Sequence, residues 1–127
     1  MADLPPLRLL RFVQFPSFLR DWHRLGLDDE ALRALERQLI DSPGKAPVME
    51  HTGGLRKIRF TPPGSGRGKS GTYRVCFASF PSHGTVALFV AFGKNERSDL
   101  SSNEAKAIAQ ALKQFEDELR RQSERQR

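Results

Sequence analysis

The stretch Thr85-Val-Ala-Leu-Phe-Val-Ala-Phe92 (TVALFVAF) decides the fold of this chain. A short apolar run rich in β-branched and aromatic residues predicts a β-strand rather than a helix. Because nearly every side chain is apolar, neither face of the strand suits water, and we expect both faces to be buried. The sequence therefore places Thr85–Phe92 inside a sheet.

Two more strands are predicted upstream of this one. Leu55–Phe60 alternates at its end, with Ile58 and Phe60 on one side and Lys57 and Arg59 on the other. The lengths suit a meandering antiparallel sheet. The other segments of this region are the loop Thr61–Gly71, which contains two Pro and four Gly, the strand Thr72–Phe80 and the turn Pro81–Gly84.

Helical periodicity flanks the strands on both sides. A first strand, Leu7–Phe15, leads into a helix that opens at Pro16 and ends near Gly26; Asp28 or Asp29 then caps a second helix, which Ser42-Pro43-Gly44 stops. A third helix starts with Ser101 and Glu104 at capping-box spacing. The predicted apolar stripes are Phe18, Trp22 and Leu25; Leu32, Leu35 and Leu39; and Ile108, Leu112, Phe115 and Leu119.

The order strand, two helices, three antiparallel strands, helix predicts an α+β fold with one twisted sheet packed on helices. We expect a single domain over residues 1–119, followed by a basic, frayed tail over residues 120–127.

The net charge of this 127-residue chain is +6, which favours a polyanionic partner. Its single cysteine, Cys76, cannot form an internal disulfide, which fits a reducing compartment. No stretch reaches the roughly 18 apolar residues of a membrane span, and Met1–Phe15 lacks the pattern of a signal peptide. We therefore predict a cytoplasmic protein that does not bind membranes.

The segment from His51 to Asn95 contains no Asp or Glu. Without acidic neighbours in the sequence, the cations of this segment repel one another, and a bound anion would offset that repulsion. The alternative is an ordinary solvated face whose acids arrive from the two helices. The cations of this acid-free segment are Arg56, Lys57, Arg59, Arg67, Lys69, Arg74 and Lys94.

Lys57 and Arg59 lie about 7 Å apart on one strand face, close to the spacing of phosphates along a nucleic acid strand. Arg74, at the start of the next strand, can complete a cradle for a phosphate. The glycine-rich loop can bring Arg67 and Lys69 over the same face. This loop is not a nucleotide-binding P-loop, because Pro63 stands where the first glycine is needed and a strand follows it.

No metal site is predicted, since the histidines show no ligand spacing and one Cys cannot make a zinc site. No cofactor is expected either. His51 borders the basic strand and can act as a general base, although an exposed loop histidine is the simpler interpretation.

Several blocks of this sequence together resemble the HigB branch of the RelE toxin superfamily. The resemblance covers most of the chain, loosely from about Phe12 and tightly from Thr52 to about Leu112, and it implies the same order of strands and helices. The blocks are His51-Thr-Gly-Gly-Leu-Arg-Lys-Ile-Arg-Phe60, Gly66-Arg-Gly-Lys-Ser-Gly71, Tyr73-Arg-Val75, Gly93-Lys-Asn-Glu96 and Asp99-Leu100.

The resemblance implies the toxin of a type II toxin–antitoxin pair, a ribosome-dependent endoribonuclease that cleaves mRNA in the ribosomal A site without metal. In such toxins the ribose 2′-OH attacks the adjacent phosphate and leaves a 2′,3′-cyclic phosphate. The implied roles are a general base for Lys57 and phosphate binding for Arg59 and Arg74. A lysine amine can accept a proton where neighbouring cations lower its pKa.

The chain departs from the RelE pattern at Asn95, where an arginine is expected, and at about Ser101, where a tyrosine is expected. Lys94, Arg97 or Tyr73 can replace the missing acid, and Lys94 is our choice. The residues predicted to contact RNA outside the reacting group are Arg56, Arg67, Lys69, Tyr73 and Arg97.

The resemblance to these toxins also implies a cognate antitoxin. We expect a HigA-like helix-turn-helix protein with an acidic segment. Two other functions stay open from the sequence. One is a ParE-like toxin that poisons DNA gyrase, and the other is a basic module that binds nucleic acid without chemistry.

Overall fold

A four-stranded sheet in the order β1-β4-β3-β2 forms the centre of the molecule. Strands β2, β3 and β4 make an antiparallel meander, while β1 adds to β4 in parallel. The computed structural model describes residues 10–41, 46–64, 71–97 and 99–125. The elements are β1 (Arg11–Gln14), α1 (Pro16–Arg24), α2 (Asp29–Asp41), β2 (Arg56–Phe60), β3 (Tyr73–Phe80), β4 (Thr85–Gly93) and α3 (Ser102–Arg125), with a 3₁₀ turn at Pro81–His83.

The predicted α+β architecture is confirmed, as is the interior position of Thr85–Phe92. Every residue of β4 except Gly93 is buried, because strands flank it on both edges and helices cover both faces. The first strand is shorter than the predicted Leu7–Phe15, and residues 1–9 lie outside the described residues.

Helices α1 and α2 cover one face of the sheet. Phe18 and Trp22 of α1 stack with ring centroids 5.1 Å apart, and Trp22 lies 5.8 Å from the ring of Phe60 on β2. Leu35 and Leu39 of α2 are fully buried in the same cluster. The predicted stripes of both helices thus form the larger core.

Helix α3 covers the opposite face. Leu112 packs with Phe89 and Phe92 of β4, and the partly buried Ile108 and Phe115 border the same cluster. Alternation along each strand therefore decides the layer to which each side chain belongs. This assignment matters for the charged residues of β2 and β3.

A β-bulge in β4 is bound by the first helix. The register shifts between Cys76 and Phe77, because Cys76 pairs with Val90 and Phe77 with Leu88. Ser17 Oγ donates a hydrogen bond to the carbonyl of Phe89 at 2.6 Å, and Asp21 Oδ2 accepts from the N–H of Ala91 at 3.0 Å. Helix α1 thus satisfies backbone groups at the irregular part of β4.

The N-terminal caps follow the predicted chemistry. Asp28 Oδ1 accepts the N–H of Ala31 at 2.9 Å at the start of α2. At the start of α3, Ser101 Oγ accepts the N–H of Glu104 at 3.1 Å, and Glu104 Oε1 accepts the N–H of Ser101 at 2.9 Å. The capping box predicted from spacing is confirmed.

Helix α3 continues beyond Leu119 to Arg125, into the segment where a frayed tail is expected from residue 120. Arg120 pairs with Asp117, and Arg121 pairs with Glu118, one helical turn apart in each case. Such pairs support exposed helix ends that apolar periodicity alone does not reveal. No helix in the described ranges has both the length and the apolarity to cross a membrane.

Replacing Glu104 with glutamine is expected to lower the free energy of unfolding at neutral pH by about 0.5 to 1 kcal/mol. The pKa of Glu104 lies below its usual range, chiefly because Arg97 donates a hydrogen bond to its carboxylate. Because the folded pKa is the lower one, the stabilisation is present above the unfolded pKa and disappears as the pH falls through the folded pKa.

Urea unfolding curves of the wild type and the variant should therefore differ at neutral pH and converge in acid, once the carboxyl group of Glu104 is protonated in the folded protein too. A difference that persists unchanged in acid would show that the carboxylate charge of Glu104 is not its source.

Candidate active site

Three of the predicted site cations share the face of the sheet that α3 covers. On β2, Lys57 pairs with Cys76 of β3, and Arg59 pairs with Arg74. Arg74 in turn pairs with Phe92 of β4. Cβ atoms of directly opposed residues lie about 4.5 to 5.5 Å apart, so the fold places two guanidinium-bearing residues side by side.

Arg97 joins this group from the segment that follows β4. Its guanidinium carbon lies 4.7 Å above the centroid of the Phe92 ring, a cation–π contact, and it also pairs with Glu104. Phe92 is the cross-strand partner of Arg74. Lys57, Arg59, Arg74 and Arg97 are called the cationic face below.

Arg74 is the member of the cationic face with the least compensated charge. Its Nη1 atom is buried and has no hydrogen-bond partner among the described residues. Leaving a buried donor unsatisfied costs roughly 1–3 kcal/mol, and more for a charged group. A like charge directly opposite, on Arg59, adds to this cost. An anion bound between the two arginines would offset both effects.

Lys57 lies at the edge of a cavity. Its Nζ is 3.6 Å from Oδ1 of Asp99, a separation that makes an ion pair but exceeds hydrogen-bond length. The cavity has a volume of about 770 Å³ and separates the segment 47–52 from the start of α3. Its lining residues are Pro47, Val48, Met49, Glu50, His51, Thr52, Lys57, Asp99, Leu100, Ser101, Ser102, Ala105 and Lys106.

The acids that approach the cationic face lie beyond the acid-free segment, just before α3 and in its first turn, and not on α1 or α2. Asp99 pairs with Lys57, and Glu104 pairs with Arg97. Within the described ranges, no ion pair is formed by Arg59 or Arg74. Ion pairs thus compensate Lys57 and Arg97, and the two opposed arginines have none within the described ranges.

Other predicted site residues lie elsewhere. Arg56 and Tyr73 belong to the opposite face by strand alternation, since Arg56 pairs with Phe77 and Tyr73 pairs with Phe60. Arg56 donates to the carbonyl of Ala46, and Tyr73 borders a separate cavity of about 220 Å³ beside α2. Neither side chain joins the cationic face.

Lys94 lies in the exposed turn after β4. Its N–H donates to the carbonyl of Thr72 at 3.3 Å, which extends the β3–β4 ladder beyond the register of Tyr73 and Gly93. Lys94 is therefore at the same end of the sheet as the opposed arginines. Arg67 and Lys69 lie outside the described residues.

The turn that carries Lys94 and Arg97 is held by Glu96. Its Oε1 accepts the N–H of Gly93 at 2.6 Å, and its other oxygen pairs with Arg24 of α1. The hydrogen bond from Gly93 is the main reason that the pKa of Glu96 lies below its usual range. Asp99 and Glu96 are not among the predicted site residues, although both fall within the quoted family blocks.

Cys76 is expected to resist alkylation in the folded protein. Its side chain is fully buried beside Lys57, its cross-strand neighbour, and burial raises the pKa of Cys76 to about 12, so almost no thiolate exists near neutrality. Iodoacetamide at about pH 8 should leave the native chain unmodified and add one label after denaturation in urea. Rapid labelling of the native chain would show that the core between the sheet and α3 opens.

The described residues contain no group of three His, Cys, Asp or Glu side chains that could hold a metal ion. No protein-family model matches the sequence. A solved structure with a similar fold is the free state of a mutant of the E. coli toxin RelE. It is 18% identical, with 82% of this chain and 97% of that chain covered and a TM-score of 0.49.

Proposed function

We propose that this chain is the toxin of a type II toxin–antitoxin pair, of the HigB branch, and that it cleaves mRNA in the ribosomal A site in the cytoplasm. The observation that carries the proposal is Arg74, whose buried Nη1 has no partner among the described residues and which opposes Arg59 on the face shared with Lys57. Such an arrangement suits a phosphate group better than any neutral ligand.

The reaction that fits these residues is transfer of a phosphate within RNA. Lys57 acts as the general base that takes the proton from the ribose 2′-OH, and the 2′-oxygen forms a bond to the adjacent phosphorus. Arg59 and Arg74 stabilise the negative charge that grows on the phosphorane oxygens. The bond to the 5′-oxygen then breaks, which leaves a 2′,3′-cyclic phosphate and a 5′-hydroxyl.

Lys94 is the proposed donor of the proton to the leaving 5′-oxygen. Lys94 lies in the exposed turn beyond the two arginines. Glu96 anchors this turn to β4 and α1. No metal ion or cofactor takes part in this scheme, since proton transfer and charge stabilisation are both assigned to side chains.

A partner that neutralises the toxin must oppose a net charge of +6. We propose an acidic segment of a HigA-like helix-turn-helix antitoxin that covers the cationic face. Its carboxylates would supply the acceptors that Arg59 and Arg74 lack in the described part of the chain, and would exclude the RNA phosphate.

Induced expression of the chain in bacteria, followed by genome-wide mapping of mRNA 5′ ends, tests the proposed activity. New 5′ ends within translated codons should appear in the wild type and not in the double variant K57A/R74A. Growth arrest by this double variant at the wild-type level would contradict the site. DNA damage signalling with intact mRNA would instead favour a ParE-like gyrase poison, and RNA binding without arrest would favour a non-catalytic module.

A further inference from the structure

The 770 Å³ cavity beside Lys57 differs in chemistry from the cationic face. Its lining contains two lysines, Lys57 and Lys106, and two carboxylates, Glu50 and Asp99. These charges balance, so the cavity offers no net attraction for a second phosphate or for an acidic peptide. Apolar side chains of Met49, Val48 and Leu100 complete the wall. A neutral group with both donors and acceptors suits such a lining.

His51 stands at this cavity in an unusual backbone conformation. Its φ is +64°, and it is the only non-glycine residue with positive φ in the part of the chain that the structure describes. Histidine tolerates this region better than most residues, but it still costs conformational energy. The exposed side chain of His51 lines the cavity.

The turn that fixes His51 is tied to the sheet through its neighbour. Thr52 is fully buried; its Oγ1 donates to the carbonyl of Met49 at 2.7 Å and accepts the N–H of Leu55 at 3.1 Å. These bonds join the segment 47–52 to the residue just before β2. His51 and Lys57 therefore belong to segments joined by hydrogen bonds, and both residues line the cavity.

We propose that this cavity receives an unstacked nucleobase of single-stranded RNA, with His51 stacking on the face of the base. The inference rests on the proposed function, because Lys57 marks the boundary between the base and the phosphate that reacts. Single-stranded bases are commonly bound by stacking on aromatic side chains, histidine included, while polar groups contact the base edge. Glu50, Ser102 and Asp99 line the cavity and offer acceptors and a donor for that edge.

Two RNA probes separate base recognition from phosphate recognition. Both are single strands of about twelve nucleotides, within the range of site sizes for such proteins, and both are 2′-O-methylated so that no 2′-OH can attack. One carries all its bases, and the other is the same backbone without bases. Fluorescence anisotropy at low salt measures the dissociation constant of each probe with the full chain.

Wild type is expected to bind the probe with bases about tenfold more tightly than the abasic probe. His51→Asn, which tolerates positive φ but lacks a ring, should remove most of that tenfold preference and leave the abasic affinity unchanged. His51→Tyr, which restores an aromatic ring, should recover much of the preference. Thermal unfolding of each variant verifies that the turn still folds.

Equal affinity of the wild type for the two probes would overturn the cavity assignment and leave the phosphate site standing. An equal weakening of both probes by His51→Asn would also overturn it, because the imidazole would then act on the backbone. Binding of neither probe would also overturn the cavity assignment, whereas the proposed function, which acts on the ribosome, is tested separately by the mapping of mRNA 5′ ends.

Discussion

Exchange of Arg74 for alanine is expected to lower the rate of RNA cleavage about 100- to 1,000-fold, the usual loss when one group that stabilises transition-state charge is removed. The free energy of unfolding should stay within about 1 kcal/mol of wild type. Two effects on stability offset each other: the variant loses packing of the aliphatic stem, and it is relieved of a buried, unsatisfied guanidinium nitrogen that opposes Arg59.

Single-turnover cleavage of mRNA on programmed ribosomes and urea unfolding measure the two quantities. Arg74→Lys keeps the charge but loses the planar fork that contacts two phosphate oxygens, so we expect about a tenfold loss. Arg37→Ala is the matched control, since Arg37 is exposed on α2, on the other face of the sheet. If Arg74→Ala unfolds the chain, the arginine is structural; if it cleaves like wild type, the phosphate lies elsewhere.

Exchange of Lys57 for methionine is expected to lower the rate of the chemical step about 100- to 10,000-fold, the range for loss of a general base. Methionine keeps most of the side-chain length and volume while removing the amine. Binding of a non-cleavable 2′-O-methyl RNA should weaken only a few-fold, because Arg59 and Arg74 remain. The loss should therefore appear in kcat more than in KM.

Lys113→Met provides the control for this change, since Lys113 is an exposed lysine of α3 away from the cationic face. A loss that appears wholly as weaker RNA binding would make Lys57 a phosphate ligand and not the base. Full activity of Lys57→Met would require another proton acceptor, and Asp99, the ion-pair partner of Lys57, would be the first to test.

The composition of the acid-free segment predicts only part of the candidate site. Its lack of Asp and Glu indicates an anion-binding surface but does not say which cations stay uncompensated. Strand alternation narrows the set, because residues two apart share a face: Lys57 and Arg59 lie together, while Arg56 and Tyr73 lie on the other side. The family blocks contain residues of both faces, so the resemblance alone does not say which of them lie together. The alternation of side chains along each strand assigns each residue to its face.

Local chemistry alone determined several features of this protein. The apolar run of β4 requires burial on both faces, and the spacing of Ser101 and Glu104 closes the cap of α3 within one turn. These predictions succeed because hydrophobic burial and capping depend on residues close in sequence. These local patterns did not predict that α3 extends to Arg125, because ion pairs rather than apolar periodicity support that end of the helix.

Only the tertiary structure decided the register that sets Arg59 against Arg74, the ion pair of Lys57 with Asp99, and the cavity between His51 and α3. The register depends on how β2 and β3 pair, and the cavity depends on where α3 packs on the sheet. Both follow from packing between residues distant in sequence, which no local pattern encodes. The sequence by itself supplied the cations, and the fold selected those that face one another.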